Sequence, residues 1–473
     1  MHLSSVAAKR NIEVTRWGYA GDRAVYGRQT RRPPGTALRK LGSMSSMSAD
    51  YEIRRFEPAA PGEPGYPEAT AWDTAVAFGF HEERSTDERM QESIARSRVD
   101  RAVYTGVYQT GAPAPHALGA EVPVATFGTQ PGTLNIGFGR LLDAHLITGV
   151  TVRTTHRRRG LLRRMMTEDL ALAKDNGLAI AALTVSEASI YGRFGFGVAT
   201  TEQSITVDTG AKFRLDHVPE GTVEVADPVV LLELAPQVFA RLHAEQPGSI
   251  SRQEFYRQLA AGAASREGGP DAKVKAALHY AADGTVDGYV SYRFGGWDKT
   301  PATMEIVDLV AATPAAYLEL WQYLAAIDLV ERITWSGSPV DNPLTWALTD
   351  ARCVKASNPR DLLWLRILDV PQALQARQFG ADGTLVLRVT DGLGLTAGTF
   401  SLEVQGGTAR VTASEQAPDL ELDIAALSSL YLGAVNPVTL AAAGTVHEHA
   451  AGAAFLAARL FAVERPAHCL THF

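Results

Sequence analysis

The chain has 473 residues, 46% hydrophobic and 21% charged, with a net charge of −7 and two cysteines. That length suggests about three domains at roughly 150 residues each, and the ordinary composition excludes wholesale disorder, collagen-like repeats and coiled coils. Apolar runs such as Leu178–Leu183 and Ala450–Ala458 fall well short of the ~18–20 residues of a spanning helix, and Cys353 and Cys469 form neither a disulfide framework nor a metal clamp, so a reduced, cytoplasmic protein is expected.

Residues 1–43 hold nine Lys/Arg against Glu13 and Asp22, a net +7, which leaves −14 on the other 430 residues. The basic segment has neither the apolar core of a secretion signal nor a hydrophobic period. It reads as a disordered basic leader over 1–48, or as a start placed ahead of Met44 or Met47, and no nucleic-acid or membrane partner is expected of it.

Tyr51–Phe56 alternates like an opening strand, Pro58–Pro67 is rich in turn formers, and 73–100 reads as charged helix. Arg101–Gln109 and Pro123–Phe127 are extended, separated by a loop at Gly111–Pro115. Leu142–Val152 is a buried strand. Leu162, Met165, Met166, Leu170 and Ala173 then recur at the spacing of one helix face, Asn176-Gly177 stops the helix, and Leu178–Val185 is a second apolar strand. Strand, turn, helix and strand make a crossover unit whose strands should lie side by side in a mostly parallel arrangement. Met304–Val310, Pro314, Tyr317–Ile327 and Ile333–Trp335 repeat that order, so a duplicated module is expected. Its turn, Ala311–Leu320, has no basic residue, which marks this copy as scaffold. Beyond Asp369–Pro371, strands at Leu385–Val389, Thr399–Val404 and Thr408–Thr412 read as a meander. Helices follow around Ile424–Leu432, Pro437–Ala442 and Glu448–Phe461, then a tail, Pro466–Phe473.

Chemistry concentrates between Val150 and Arg164. Arg157, Arg158, Arg159, Arg163 and Arg164 flank Gly160 where a strand turns into a helix. A helix start carries N–H groups without intrahelical acceptors and a partial positive charge, a glycine admits close backbone approach, and guanidinium adds bidentate donors. The combination suits a pyrophosphate. A solvated basic helix end and a nucleic-acid patch are the competing readings; the acidic remainder of the chain weighs against the second. His81, Glu82 and Glu83 form a polar cluster on a predicted helix, read as a charged face with an amine pocket as the sharper alternative.

Arg157-Arg158-Arg159-Gly160-Leu161-Leu162 resembles the Arg/Gln-x-x-Gly-x-Gly/Ala loop of the GNAT superfamily of N-acetyltransferases, departing only at Leu162. Together with Ser186-Glu187-Ala188-Ser189-Ile190-Tyr191-Gly192-Arg193-Phe194-Gly195-Phe196-Gly197, it closely resembles the enhanced intracellular survival (Eis) acetyltransferases, where leucine at that position is usual. The resemblance covers about 50–473. It implies an α+β, mixed fold with tandem GNAT modules: an active one over 49–205, a degenerate one over 206–365, and a sterol-carrier-protein-like domain over 366–473, which Leu427–Gly433 fits. It further implies acetyl-CoA as co-substrate, no metal, a small-molecule or peptide amine acceptor (aminoglycoside, polyamine or lysine type), and a homohexamer built as a trimer of dimers. Val150, Thr151, Val152, Arg157, Arg158, Arg159, Gly160, Leu161, Leu162, Arg163, Ser186 and Glu187 are the residues expected to hold the co-substrate. Tyr191 is the phenol expected beside the sulfur, a neutral donor at pH 7 by its reference pKa near ~10.

In the resembled family the terminal carboxylate, here that of Phe473, turns back into the site as base or amine-positioning group. A carboxylate of reference pKa ~3.3–3.7 matches an ammonium near ~10.4 poorly, so desolvation or a water relay is required. The rival reading is a lipid- or ligand-binding protein with a retired acetyltransferase module.

Overall fold

The computed structural model describes residues 50–473, so the basic leader expected over 1–48 lies outside the described residues. The chain opens with β1 (Tyr51–Phe56), followed by α1 (Tyr66–Gly79) and α2 (Asp87–Val99). The single helix expected over 73–100 is therefore two. Pro67 lies in the first turn of α1, where its missing N–H costs nothing, so the turn-rich stretch conceals a helix start. The break has local causes: His81 takes φ 61°, and Thr86 begins α2 by accepting a hydrogen bond from the Arg89 N–H. His81, Glu82 and Glu83 consequently stand exposed between the helices rather than on one.

Next come β2 (Val103–Gln109), β3 (Ala125–Asn135), β4 (Leu141–Val152), α3 (Leu161–Asp175), β5 (Ile180–Thr184), α4 (Ala188–Tyr191) and β6 (Gly197–Val198). Met165, Met166, Leu170 and Ala173 of the expected α3 stripe are buried against Phe127, Ile147, Ala181 and Leu183, but its first member is Leu161, which is buried, whereas Leu162 is only half-buried at the edge of that core. β4 and β5 pair in parallel, as a crossover requires, whereas the hairpin-like neighbours make every other pair of this sheet antiparallel. The mostly parallel arrangement expected is thus confined to one strand pair.

The middle of the chain supplies β7 (Thr201–Asp208), β8 (Thr222–Ala226), α5 (Leu231–Glu245), α6 (Glu254–Ala260), β9 (Lys275–Tyr280), β10 (Val286–Phe294), β11 (Thr303–Ala311), α7 (Pro314–Ala325), β12 (Arg332–Ser338), α8 (Pro343–Ala347) and β13 (Val354–Asp361), and then β14 (Leu363–Ile367). The first sheet runs β1-β2-β3-β4-β5-β14-β6 and the second β8-β9-β10-β11-β12-β7-β13. The two orders correspond strand for strand, including a parallel central pair, β11 with β12. The modules also exchange a strand. β7 leaves β6 to join the second sheet, and β14 leaves β13 to join the first, between β5 and β6.

The last part comprises α9 (Val370–Ala376), β15 (Gly383–Thr390), β16 (Gly398–Gln405), β17 (Thr408–Ala413), β18 (Leu420–Asp423), α10 (Ile424–Leu430), α11 (Pro437–Ala442), β19 (Val446–Glu448) and α12 (Ala453–Leu460). Its sheet, β17-β16-β15-β18-β19, contains the expected meander plus two short strands. α12 starts later than the sequence suggests because the Glu448 carboxylate accepts from the Gly452 and Ala454 N–H groups and holds that turn outside the helix. One apolar cluster joins Leu134, Leu146, Ile180 and Leu365 of the first sheet to Leu385, Leu402, Leu427 and Leu460 of the last domain. Across that boundary Arg366 pairs with Asp391 at 2.7 Å, both fully buried.

Candidate active site

β4 and β5 are bonded only from His145 to Ile147 against Ala181 to Leu183. Beyond Ile147 they separate. On its other edge β4 carries an extra residue: Thr148 pairs with Gly128 and Thr151 with Thr126, so Gly149 and Val150 together face Phe127. The bulge needs glycine. Gly149 has φ 58°, and a Cβ there would lie 2.7 Å from the Trp72 ring. The splayed strands leave the Thr148–Val152 edge of β4 without a strand neighbour on the β5 side, and backbone groups with no ladder partner need one from a ligand or solvent.

A cavity of about 220 Å³ fills the wedge, lined by Thr148, Gly149, Val150, Thr184, Val185, Ser186, Tyr191, Phe80, His472 and Phe473 among others. Tyr191 closes the short helix α4 and is only 6% exposed. Phe196 meets its ring edge-on at 6.2 Å, and the hydroxyl forms no hydrogen bond among the described residues. Burial, and secondarily the Glu187 carboxylate, push its pKa above the ordinary phenol value, so the proton stays on at neutral pH.

At the wide end of the wedge a turn at Thr154–His156 leads into Arg157, Arg158, Arg159 and Gly160, all exposed. Arg153 anchors the base of this loop through the carbonyls of Val122 and Pro123 at 3.0 and 3.2 Å. Arg159 donates to the Tyr51 hydroxyl at 2.8 Å, and among the described residues none of the three loop arginines is paired with a carboxylate. Gly160, at φ 77°, begins α3 without a side-chain cap, so the first-turn N–H groups face outward uncapped. Leu161 is buried and Leu162 packs on the same core, so these two can offer a ligand only their backbone. Arg163 is exposed on the first turn. Thr151 is held to Thr126 at 2.7 Å, and Val152 is half-buried. Ser186 reaches the cavity; Glu187 does not line it, its carboxylate accepting instead from Ser189 at 3.2 Å.

Phe473 arrives by a route with no signature in the sequence. The His468 N–H donates to the Pro247 carbonyl at 2.8 Å, and Thr471 to the Ile250 carbonyl at 3.1 Å. The Tyr256 hydroxyl holds the His472 backbone on both sides. Phe473 donates to the Thr184 hydroxyl at 3.0 Å, and that hydroxyl donates back to a terminal carboxylate oxygen of Phe473. His472 also approaches the buried Glu202 at 3.5 Å, beside Arg360 at 2.6 Å. Burial alone would raise the Glu202 pKa, but the hydrogen bonds it accepts from His472 and Arg360 hold it below the ordinary carboxylate value. Thr184, Glu202, Tyr256 and His472 were invisible as site residues because their roles depend on where the tail runs.

The turn in the second module is built differently. Thr313 caps α7 by accepting from the Ala316 N–H, and Pro314 occupies the first turn.

Residues 69–199 and 248–367 each match the acetyltransferase (GNAT) domain, and residues 370–470 match the sterol carrier protein domain. A protein of Streptomyces griseus described as an uncharacterized N-acetyltransferase is 37% identical over 413 residues, covering 85% of this chain and 96% of its own. The N-acetyltransferase Eis of Mycobacterium tuberculosis is 36% identical over 337 residues, 67% of this chain and 80% of that protein. The crystal structure of Eis1 from Mycobacterium abscessus superposes with a TM-score of 0.75 at 26% identity, covering 89% of this chain and all of the other.

Proposed function

The chain belongs to the Eis family of GNAT N-acetyltransferases, and on that premise we propose that its first module moves acetyl from acetyl-CoA to a primary amine by direct attack. The diphosphate sits on the N–H groups opening α3, with Arg157, Arg158, Arg159 and Arg163 around it; the pantetheine arm lies along Gly149–Val152 and Ser186. The amine nitrogen bonds to the thioester carbonyl carbon, the carbon–sulfur bond breaks, and the departing electron pair on sulfur takes the Tyr191 proton. The amine proton passes to the terminal carboxylate of Phe473, directly or through water, and the same carboxylate orients the amine. The observation that carries this reading is one cavity bordered by the splayed β4 edge, Tyr191 and Phe473.

Exposed Phe78 and Phe80, followed by exposed Glu82 and Glu83, favour a cationic acceptor of aminoglycoside, polyamine or lysine type. The working form is a cytoplasmic homohexamer, a trimer of dimers, testable as a light-scattering mass of six chains. The reaction is tested by an acceptor screen that reads free CoA thiol, run on the chain and on one carrying two glycines after Phe473. The extended chain is expected to bind acetyl-CoA normally and turn over at least about tenfold more slowly. Equal turnover removes Phe473 from the chemistry.

A further inference from the structure

Among the described residues, the ionisable groups bordering the catalytic cavity are the Tyr191 phenol, the Phe473 carboxylate and the imidazole of His472. A primary ammonium has two protons to lose, one before its nitrogen can attack and one as the carbon–nitrogen bond forms. Tyr191 enters the reaction already protonated, and a carboxylate is a weak base toward an ammonium. An imidazole is the better-matched acceptor at neutral pH.

The His472 ring is not needed to hold the tail. The Tyr256 hydroxyl already bonds the His472 backbone N–H and carbonyl, and Thr184 holds Phe473. Tyr256 is itself fixed, because the Arg252 guanidinium lies 4.5 Å over its ring and makes two bonds of 2.7 Å to Asp308. The imidazole, 32% exposed, turns Nε2 toward Oε1 of the buried Glu202 at 3.5 Å. That carboxylate is charged at neutral pH, which puts the ring proton on Nε2 and leaves a lone pair on Nδ1. Among the described residues Nδ1 has no hydrogen-bond partner.

Glu202, on β7, faces Arg360 from β13 and both His468 and His472 from the tail. Arg360 and His472 share Oε1, whereas burial lowers the His468 pKa to about 4, so that ring is neutral. Oε2 has no hydrogen-bond partner among the described residues. A buried carboxylate with one oxygen unbonded is stabilised when positive charge arrives beside it. A carboxylate so placed fixes the tautomer of an imidazole and stabilises the imidazolium.

We propose, resting on the acetyl-transfer reading above, that His472 is a further catalytic residue whose Nδ1 takes a proton from the incoming ammonium before attack, with Glu202 as its positioning residue. The ammonium N–H bond breaks, its electron pair stays on nitrogen as the nucleophile, and the proton leaves the imidazolium for solvent. The terminal carboxylate orients the freed amine and accepts the second proton as the carbon–nitrogen bond forms.

The test follows kcat/KM of the full chain from about pH 6 to about pH 10, with spermidine and tobramycin as acceptors and CoA thiol as readout. His472→Gln keeps a donor toward Glu202 but cannot take a proton. Near pH ~7 its kcat/KM should fall at least about tenfold with acetyl-CoA affinity unchanged, and the deficit should shrink toward pH ~10, where solvent deprotonates the amine. Glu202→Gln, which removes the charge that favours the imidazolium, should move the acid limb of the profile to lower pH. An unchanged His472→Gln rate, or a deficit equal at every pH, overturns the proposal. If His472→Gln does not fold, Glu202→Gln decides, and an acid limb that stays in place overturns it. A slow chain with two glycines after Phe473 beside a wild-type His472→Gln removes His472 and leaves acetyl transfer standing. A wild type that acetylates neither amine removes both.

Discussion

Tyr191 and Asp391 illustrate how burial acts differently on an acid kept neutral and an acid kept charged. Burial keeps the Tyr191 proton on, so the alkaline side of the kcat profile should show no phenol ionisation below pH ~10. A limb near pH 8 that vanishes in Tyr191→Phe contradicts this. Burial would likewise raise Asp391, but Arg366 and the N–H groups of Leu393 and Thr396 outweigh it and hold the pKa below the ordinary carboxylate value. The folded pKa being depressed, Asp391 stabilises above the ordinary carboxylate range and that contribution is lost as pH falls through the folded value. Removing one member of a buried pair strands the other, so Asp391→Ala should cost about 3–5 kcal/mol in urea unfolding at pH 7 and flatten the acid side of the stability profile. A loss under ~1 kcal/mol would show the pair to be dispensable. The phenol was legible because its neighbours spell a motif; the Arg366–Asp391 pair was not, since nothing in either segment names the other.

The turn into α3 and the bulge in β4 divide the work of the cleft. Arginines around an uncapped helix start offer charge-assisted donors, each worth about 1.5–3 kcal/mol when made. Arg158→Ala with Arg159→Ala should weaken acetyl-CoA by about two orders of magnitude in calorimetry; an unchanged dissociation constant would remove the loop from the diphosphate. Gly149→Val should be worse for activity than for affinity at the loop, because the new side chain meets Trp72 and the residue cannot hold φ 58° without strain. A lower melting temperature and a loss of kcat/KM are expected, and a variant indistinguishable from wild type would show that the bulge is not needed. The helix face and the basic turn were readable from spacing alone. The bulge was not, because it exists only in the register of β4 against β3.

Strand exchange makes the molecule more than three beads on a string. β7 and β14 each complete the other module's sheet, and the first module shares its apolar cluster with the last domain. The tail then passes from that domain, across the second module at Ile250 and Tyr256, to the wedge of the first. Module order and the duplicated β-α-β unit could be read along the chain, since each is local. The exchange and the tail's path could not, being contacts between residues more than 150 positions apart such as Glu202 with Arg360 and Thr184 with Phe473. A chain ended at Asp369 would bare the face around Leu134, Ile180 and Leu365 and is expected to aggregate, not to survive as an isolated pair of modules. A monodisperse truncated protein with native circular dichroism would contradict the shared core.

Tyr191→Phe bears most directly on catalysis, because it deletes one hydroxyl and leaves the ring against Phe196 in place. Acetyl-CoA affinity by calorimetry and kcat by release of CoA thiol should be measured on the same preparation. The dissociation constant should match wild type while kcat falls by about 10²–10⁴. A wild-type kcat, or a dissociation constant that shifts in step with kcat, would contradict protonation of the leaving sulfur by Tyr191.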